Sequence, residues 1–323
     1  MVFLRNNSLH RAITSLYSLL VCVSTLLDLI FAGSTMISST EDKLFPQKYT
    51  FQIKGCLYSL NKPKVMGILN LTPDSFYEGS RVPTDKTSVL AEAEKKINEG
   101  ADILDLGGYS TRPGAEHISI DEEINRVIPA ILEIKKSFPD TLISIDTFRS
   151  EVAKAGIDAG ADLVNDISAG NLDPQMLPLI GQLGVPYIAM HMRGTPQTMQ
   201  NETVYSDLIS EVLTYFGDKV EQFEKFGIKD VIIDPGFGFA KTSAQNFELL
   251  RHLSSLKGLG FPILAGISRK SMIYKTLDIS ANEALNGTTA LNMYALLQGA
   301  AILRVHDVKE AKETIKLFEQ LYP

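Results

Sequence analysis

The amino-acid sequence predicts an α/β protein: a (β/α)8 TIM barrel with an N-terminal β-hairpin and an N-terminal extension. Three observations support this prediction. Eight short apolar runs follow one another from Lys64 onward, each intervening segment is long enough for one helix, and a polar residue stands at the end of each run. Unbroken apolar runs are typical of parallel strands covered by helices on both faces. Because the carboxyl ends of barrel strands open onto one face, we expect the polar residues to meet there.

The predicted strands and helices can be placed along the chain in order. The strands lie in the runs VMGILN, ILDLGG, LISID, DLVND, YIAMH, VIIDPG, ILAGISRK and ILRVHD. Helices are predicted over residues 85–99, 121–138, 149–159, 173–183, 206–226, 243–257, 270–277, 282–298 and 307–321. The helix over 282–298 is an extra element before the last strand.

Two short strands are predicted ahead of the barrel. The stretches YTFQIK and CLYSL flank Gly55, and two short strands around a glycine turn are typical of a β-hairpin. We expect this hairpin to plug the closed bottom of the barrel. The catalytic domain is therefore predicted over residues 49–323.

Residues 1–48 are predicted to be an extension and linker. Basic residues precede an uncharged, Leu-rich run over residues 12–27, as in a secretory signal, although this run is shorter than the ~20 residues a spanning helix needs. Three interpretations stay open for residues 1–36: a start assigned too early, with Met36 the true first residue, a signal or membrane anchor, or an organellar transit peptide. We expect a cytoplasmic protein, with membrane association or an organelle as the alternative.

Composition limits the class of protein. A chain of 323 residues can bury one large core, and a barrel usually needs about 250 residues. The net charge of -7 argues against a nucleic-acid binder but not against a local anion site. The two cysteines, Cys22 and Cys56, lack metal-ligand spacing, and a structural disulfide is not expected.

The loops after the first two barrel strands offer polar groups to a ligand. Asn70 ends the first strand before TPDSFYEGS, a loop whose composition and length suit a lid over the barrel mouth. In the second loop, Thr111 and Arg112 follow two glycines, and Arg112 presents a planar fork suited to phosphate or carboxylate. The structural alternative is that Asn70 only terminates the strand and that Arg112 is a solvated loop arginine.

Two aspartates, Asp146 and Asp234, each end an apolar run, where an unpaired carboxylate would be costly. Asp146 is alternatively a helix cap, Asp234 a turn former, and Asn165 a cap as well. His191 lies between two methionines with no second ligand at helical spacing. This favours a hydrogen-bonded histidine of the barrel mouth over a metal ligand.

The segment GISRKS is the strongest local cluster. Residues 268–271 crowd the end of a strand and the start of a helix, where free N–H groups favour an anion, with helix capping by one of the serines as the alternative. Arg304 and His306 stand on alternate residues of the last strand and project on one side. Asp307 is predicted to cap the last helix.

Together these groups favour a flat polar ring joined to an anion as the ligand. Carboxylates suit the adjacent N–H donors of an aminopyrimidine edge. Phe237 and Phe239 of GFGFAK could stack on such a ring, or pack in the core or a lid. No activated nucleophile has a base in register, so covalent catalysis is not indicated. Positioning and leaving-group stabilisation are the expected catalytic means.

From Lys64 to its end, the chain resembles the dihydropteroate synthase family of folate biosynthesis. The resemblance rests on VMGILNLTPDSF, DLGGYSTRPGA, ISIDTF, LVNDIS, MHMRGTP, IIDPGFGF, GISRKSM and RVHDV, in family order and spacing. It implies a transferase that condenses 6-hydroxymethyl-7,8-dihydropterin diphosphate with 4-aminobenzoate, releasing pyrophosphate and 7,8-dihydropteroate. It also implies a homodimer that packs through outer helices.

The resemblance further implies roles for individual residues. The pterin would be held by Asp105, Asp146, Asn165, Asp234 and Lys270, and Gly266 would be a further substrate-binding residue. The diphosphate would be held by Asn70, Thr111, Arg304 and His306, and Arg112 would reach the diphosphate or help to order the lid. Asn70 would act through Mg²⁺, Ser271 would receive the aminobenzoate carboxylate, and Asp146, Lys270, Arg304 and His306 would be the catalytic set. We hypothesise that pyrophosphate leaves first and that Asp146 stabilises the cation left on the pterin methylene.

Two departures from the family pattern and two alternatives remain. Tyr109 stands where the family commonly has Glu, and Ala240 where a further glycine is usual. One alternative is a related pterin barrel that transfers a methyl group from a folate to a corrinoid protein. That enzyme needs no diphosphate site. The other is a non-catalytic pterin-binding paralogue, which could lose Asp146 and Lys270, both of which are present here.

Overall fold

Eight parallel strands of this protein close into a barrel whose connections are helical. The computed structural model describes residues 49–72, 86–111 and 116–322. The hairpin strands are β1 (Thr50–Ile53) and β2 (Cys56–Ser59). The barrel strands are β3 (Lys64–Asn70), β4 (Ile103–Gly107), β5 (Leu142–Asp146), β6 (Leu163–Asp166), β7 (Tyr187–Met190), β8 (Val231–Asp234), β9 (Ile263–Ala265) and β10 (Ala300–Val305). They pair in chain order, and β10 pairs with β3 to close the ring, which confirms the predicted TIM barrel.

The helices of the described chain lie outside the ring and follow the predicted segments. They are α1 (Lys86–Glu99), α2 (Ile120–Ser137), α3 (Ser150–Asp158), α4 (Met176–Leu183), α5 (Leu208–Phe226), α6 (Ser243–Arg251), α7 (Ser271–Leu277), α8 (Leu285–Leu297) and α9 (Val308–Leu321). The α-helix predicted over 243–257 ends early at Arg251, and a 3-10 helix, Leu253–Leu259, continues the segment. The extra helix before β10 is present as α8, which begins at Leu285.

The hairpin closes the amino end of the barrel, as predicted. Its two-residue turn places Lys54 and Gly55 in the left-handed region, at φ 48° and 82°, and glycine tolerates this conformation best. Phe51 and Ile53 are buried in one cluster with Met66 and the apolar residues near the starts of the other barrel strands. Among the described residues, side chains therefore fill the interior below the polar residues, and we expect ligands to enter from the opposite end.

Strand alternation decides which side chains face the barrel interior. In β4, Leu104 and Leu106 pack in the outer core against the helices, whereas Ile103 belongs to the inner cluster. Asp105 lies between the two leucines and so faces inward. The same alternation turns Ser144 and Asp146 of β5 inward. Polar residues therefore occupy the upper layers of an interior that is apolar at its base.

Within the described residues, no helix is both long enough and apolar enough to cross a membrane. The Leu-rich run over residues 12–27 lies outside the described residues, as do the lid loop after Thr72 and Arg112. Residues 49–322 form one compact unit. The role of the N-terminal extension stays a prediction.

Candidate active site

The polar strand ends converge on one cleft at the carboxyl end of the barrel. The cleft measures about 410 Å³. The predicted site residues that line it are Asn70, Thr111, Asp146, Asn165, Asp234, Gly266, Lys270, Ser271, Arg304 and His306. Asp105 lies deeper, with 1 % of its surface exposed. Side chains from β3 to β10 thus meet in one place, although more than 230 positions separate the first from the last.

At the centre of the cleft, Arg304 joins two aspartates. Its Nε donates to Asp105 Oδ2 at 2.6 Å, and its NH2 donates to Asp146 Oδ2 at 2.6 Å. Asn165 Nδ2 also donates to Asp105 Oδ2, at 3.2 Å. Asp105 Oδ1 is buried and accepts no hydrogen bond from the described residues. Asp146 is therefore held by Arg304 and not by a helix N-terminus, which excludes the capping alternative.

Burial and neighbouring charges shift the ionisation of this cluster. Burial raises the pKa of Asp146 to about 7, while the positive charge of Arg304 acts against the rise. Burial alone would lower the pKa of Arg304, but the charges of Asp105 and Asp146 raise it above its usual value. Arg304 stays cationic, whereas Asp146 can change its charge near neutral pH.

A second acid–base pair lies across the cleft. Asp234 Oδ1 accepts from the Gly236 N–H at 2.8 Å, and Lys270 Nζ donates to the Phe237 carbonyl oxygen. Asp234 is thus a turn former and a cleft residue at once. A Cβ added at Gly266 would lie 3.7 Å from Asp234 Oδ2 and 3.9 Å from Lys270 Nζ, so this glycine leaves the space between them open. Burial lowers the pKa of Lys270 to about 8, against the opposing charge of Asp234.

Two further loops bring His306 and the SRKS segment together. The His306 N–H donates to Ser268 Oγ at 3.2 Å, and Lys96 Nζ donates to the His306 carbonyl at 3.1 Å. Burial, followed by the charge of Lys96, lowers the pKa of His306 to about 3. In this structure His306 is therefore a neutral imidazole that can offer hydrogen bonds, and the positive charge near an anion comes from other residues.

The capping prediction for Asp307 is wrong, and the capping alternative for Ser268 or Ser271 is excluded. α7 has Lys270 at its N-cap and no side-chain cap, so neither Ser268 nor Ser271 caps it. Asp307 occupies the N-cap of α9 without making a cap bond. Its carboxylate instead accepts from Arg269 Nε and NH2, both at 2.8 Å. A buried guanidinium without a carboxylate costs more free energy than an uncapped helix N-terminus.

His191 is a hydrogen-bonded interior histidine, as predicted. It is 2 % exposed, and its Nδ1 lies 2.9 Å from Lys241 Nζ. Burial, with the charge of Lys241, lowers its pKa to about 2. No group of three or more His, Cys, Asp or Glu side chains in the described ranges could hold a metal ion.

The two phenylalanines of GFGFAK differ in role. Phe237 is fully buried in the outer core, which confirms the packing alternative for this ring. Phe239 lines the cleft, and Lys270 Nζ lies 5.1 Å from the centre of its ring. Phe239 is therefore the ring of this pair that can contact a flat ligand at the mouth.

Tyr109 is anchored at the wall of the cleft. Its hydroxyl lies 3.0 Å from His117 Nδ1 and accepts from Gln197 Nε2 at 3.0 Å. The Arg149 guanidinium lies 5.0 Å from the ring centre. Tyr109 thus links the loops that follow β4, β5 and β7. Residues 112–115 of its own loop lie outside the described residues.

Sequence reasoning missed several residues of the site. Met199, Gln200, Tyr274 and Lys275 line the cleft although no motif marked them. Tyr274 and Lys275 stand three and four positions after Ser271 in α7, so helical spacing could have found them. In the sequence, Lys241 is only the last residue of the GFGFAK segment, and nothing marks it as a buried residue. Burial lowers its pKa to about 7, a property that only the folded chain reveals.

Comparison with known proteins agrees with this geometry. Residues 66–306 match the family described as pterin binding enzyme. The chain is 47% identical over 261 residues to the dihydropteroate synthase of Synechocystis sp., covering 80% of this chain and 90% of the relative. The fold and site thus define a pterin-binding barrel.

Solved structures extend the comparison. The Yersinia pestis dihydropteroate synthase in a sulfonamide complex superposes with a TM-score of 0.80 and 38% identity, over 84% of this chain and 98% of the other. The Xanthomonas albilineans dihydropteroate synthase with 4-aminobenzoic acid gives 0.78 and 37%, over 85% and 98%. The chain belongs to the dihydropteroate synthases within the pterin-binding enzyme family.

Proposed function

We propose that this protein condenses 6-hydroxymethyl-7,8-dihydropterin diphosphate with 4-aminobenzoate to 7,8-dihydropteroate and pyrophosphate, as a transferase of folate biosynthesis. The observation that carries the proposal is the Arg304 guanidinium held between Asp105 and Asp146 in the cleft, opposite Asp234 and Lys270. The relatives are dihydropteroate synthases, and one was solved with 4-aminobenzoic acid.

The pterin is assigned to the inner part of the cleft. The N–H donors of an aminopyrimidine edge can be bound by the carboxylates of Asp234 and Asp105 and by the amide of Asn165. Asp105 Oδ1 is still available as an acceptor, because it accepts no hydrogen bond from the described residues. Gly266 leaves room for the ring, and Lys270 adds a cation beside it. The buried surroundings strengthen each of these contacts, because little water competes for them.

The diphosphate is assigned to the outer part of the cleft. Thr111, Arg304 and His306 line the cleft together with Asn70. Arg304 offers a permanent charge and His306 a neutral N–H, so both stabilise negative charge as the pyrophosphate departs. Arg112 belongs to this set by sequence, and its contribution stays a prediction.

Asp146 is assigned to the reacting carbon. Its carboxylate stabilises the positive charge that develops on the pterin methylene when the carbon–oxygen bond breaks. The neutral amine of 4-aminobenzoate then attacks that carbon and loses a proton. We assign the aminobenzoate carboxylate to Ser271, which begins α7 and lines the cleft. Electrostatic stabilisation and positioning then supply the catalysis, with no covalent enzyme intermediate.

The chemistry of the site fits Mg²⁺ bound together with substrate. Mg²⁺ prefers oxygen ligands and keeps several waters, so one protein oxygen with substrate phosphate is enough. Asn70 supplies such an amide oxygen at the edge of the cleft that Thr111 and His306 also line. When bound, Mg²⁺ neutralises negative charge on the diphosphate. Without the diphosphate, Asn70 alone makes a weak site.

Oligomeric state and cellular location extend this proposal. A homodimer through outer helices fits the exposed apolar side chains Leu297 of α8 and Leu317 and Leu321 of α9, which are 45%, 63% and 67% exposed. Sedimentation of the purified protein tests it, and a monomer would refute it. A cytoplasmic location remains our prediction, to be checked by fractionation of cells that express the full chain.

An activity assay tests the proposed reaction. Protein begun at Met36 and the full chain are each incubated with pterin diphosphate and Mg²⁺, with and without 4-aminobenzoate, and pyrophosphate and dihydropteroate are measured. We expect both products in equal amounts when both substrates are present. Pterin binding without product would favour the non-catalytic alternative. Methyl transfer from methyltetrahydrofolate would favour the corrinoid-linked one, which has no need of the diphosphate groups.

A further inference from the structure

Lys241 is a buried lysine that the mechanism above does not use. It is 6 % exposed, yet its ammonium forms no hydrogen bond with a carboxylate of the described residues. Its Nζ lies 2.9 Å from His191 Nδ1 and donates to the carbonyl oxygens of Gly236 and Phe239, both at 3.1 Å. An ammonium has three N–H donors, and these three contacts match them when His191 Nδ1 carries no hydrogen.

The partners of Lys241 belong to two different segments. His191 follows β7, whereas the two carbonyls belong to the turn over residues 236–239 that follows β8. The turn packs tightly on His191, because a Cβ at Gly236 would lie only 2.0 Å from the His191 carbonyl oxygen. Lys241 therefore fastens the turn to the end of the neighbouring strand.

This turn has little conformational preference of its own. Gly236, Gly238 and Ala240 have φ values of 73°, 82° and 50°. The left-handed conformation costs a non-glycine residue roughly 1 kcal/mol, so Ala240 adds strain. Side-chain contacts must hold such a segment. Lys241 binds two of its carbonyls, Asn246 Oδ1 accepts from the Gly238 N–H at 2.7 Å, and the Tyr205 hydroxyl donates to the Ala240 carbonyl at 3.0 Å.

The same turn supports the two groups assigned to the pterin. Its Gly236 N–H donates to Asp234 Oδ1, and its Phe237 carbonyl accepts from Lys270. The two carbonyls that Lys241 binds lie on either side of Phe237. Loss of Lys241 would therefore loosen the points that orient Asp234 and Lys270, without removing either side chain.

We propose that Lys241 and His191 form a positioning pair for substrate recognition, which holds residues 236–239 so that Asp234 and Lys270 face the pterin ring. The inference rests on the proposed function. Lys241 touches no substrate in this assignment and acts through the turn. Loss of Lys241 should therefore weaken pterin binding strongly. It should have a much smaller effect on the KM for 4-aminobenzoate and on the stability of the barrel.

The test replaces Lys241 by Met, which has a similar length and no charge, and measures binding of pterin diphosphate by calorimetry together with steady-state kinetics. We expect Lys241→Met to weaken pterin diphosphate binding about tenfold or more, with a smaller change in kcat and in the KM for 4-aminobenzoate. The matched control is Lys219→Met. Lys219 is 4 % exposed and bonded to Asn171 away from the cleft, so this variant should leave both KM values unchanged.

Variants of His191 provide a second line of evidence if Lys241→Met does not fold. His191→Gln keeps an acceptor for the ammonium and should retain binding, whereas His191→Leu removes it and should reproduce the loss. Normal pterin affinity in Lys241→Met or in His191→Leu overturns the inference. If the wild-type protein forms no dihydropteroate, the proposed function fails instead, so the two failures are distinguishable.

Discussion

Arg304 NH2 lies 2.6 Å from Asp146 Oδ2, and the same guanidinium binds Asp105 at 2.6 Å on its other edge. One cation thus serves two carboxylates that come from neighbouring strands. Because Asp105 has the deeper position, the Arg304–Asp105 contact can stay in place when substrate enters. Asp146 faces the cleft, with 19% of its side chain exposed, and is free to interact with the reacting carbon.

Asp146→Asn should lower kcat about 100-fold while the affinity for pterin diphosphate changes little. The amide has nearly the same shape but cannot stabilise a developing cation. Rapid-quench measurement of pyrophosphate release, together with calorimetric binding, separates the two effects. Unchanged turnover with normal binding would remove Asp146 from the mechanism.

The pH dependence of kcat/KM should be bell-shaped. Burial raises the pKa of Asp146 to about 7, so activity rises as pH increases through 7 and the carboxylate forms. Burial lowers the pKa of Lys270 to about 8, so activity falls as the ammonium is lost above 8. Asp146→Asn should abolish the acid limb, and Lys270→Arg the alkaline limb. An acid limb that persists in Asp146→Asn would assign it to another group.

Gly266→Ala should raise the KM for pterin diphosphate about tenfold and leave the fold intact. The new methyl would stand 3.7 Å from Asp234 Oδ2, an ordinary contact for the protein but an obstacle to the ring. Gly217→Ala in α5 is the matched control, since nothing lies within 4 Å of its Cβ. It should stabilise the protein by about 0.5–1 kcal/mol without a kinetic effect. Equal KM values for the two variants would place the pterin elsewhere.

Asp307→Asn should cost about 2 kcal/mol of unfolding free energy, because it leaves the buried Arg269 guanidinium without its carboxylate. Asp158→Asn removes an exposed ion pair with Lys154, whose side chains are both 58% exposed, and should cost less than about 0.5 kcal/mol. Urea unfolding of both variants gives the comparison. Similar losses would mean that the Arg269–Asp307 pair does not fix the SRKS segment.

Removal of divalent cations should abolish turnover, and added Mg²⁺ should restore it. Asn70→Ala should raise the Mg²⁺ concentration needed for half-maximal rate about tenfold, whereas Asn61→Ala, at an exposed position after the hairpin, should not. Full activity in the presence of a chelator would rule out the assigned metal.

The sequence predicted the barrel well because its signals are local and repeated. Each strand is an unbroken apolar run with a polar end, and the hairpin turn at Gly55 is equally explicit. The end of α6 at Arg251 could not be read from the sequence, since a 3-10 segment continues with similar residues.

The sequence predicted which polar residues share the cleft, except for Arg112, which lies outside the described residues, but it did not predict the contacts among them. The barrel topology alone predicts that Asp146 and Arg304 lie in the same cleft. The additional hydrogen bond between Arg304 and Asp105 depends on side-chain packing, which the sequence does not reveal. Asp307 was assigned to a cap because sequence shows the adjacent helix but not the distant Arg269. For the same reason the burial of Lys241 was invisible.

The most direct test of this account is a crystal structure of the protein with pterin diphosphate and Mg²⁺ in the absence of 4-aminobenzoate. The account predicts the pterin ring between Asn165 and the Asp234–Lys270 pair, with the diphosphate beside Asn70, Thr111 and His306 and the methylene carbon next to Asp146. A ring bound outside this cleft, or a diphosphate that lies away from Arg304 and His306, would contradict it.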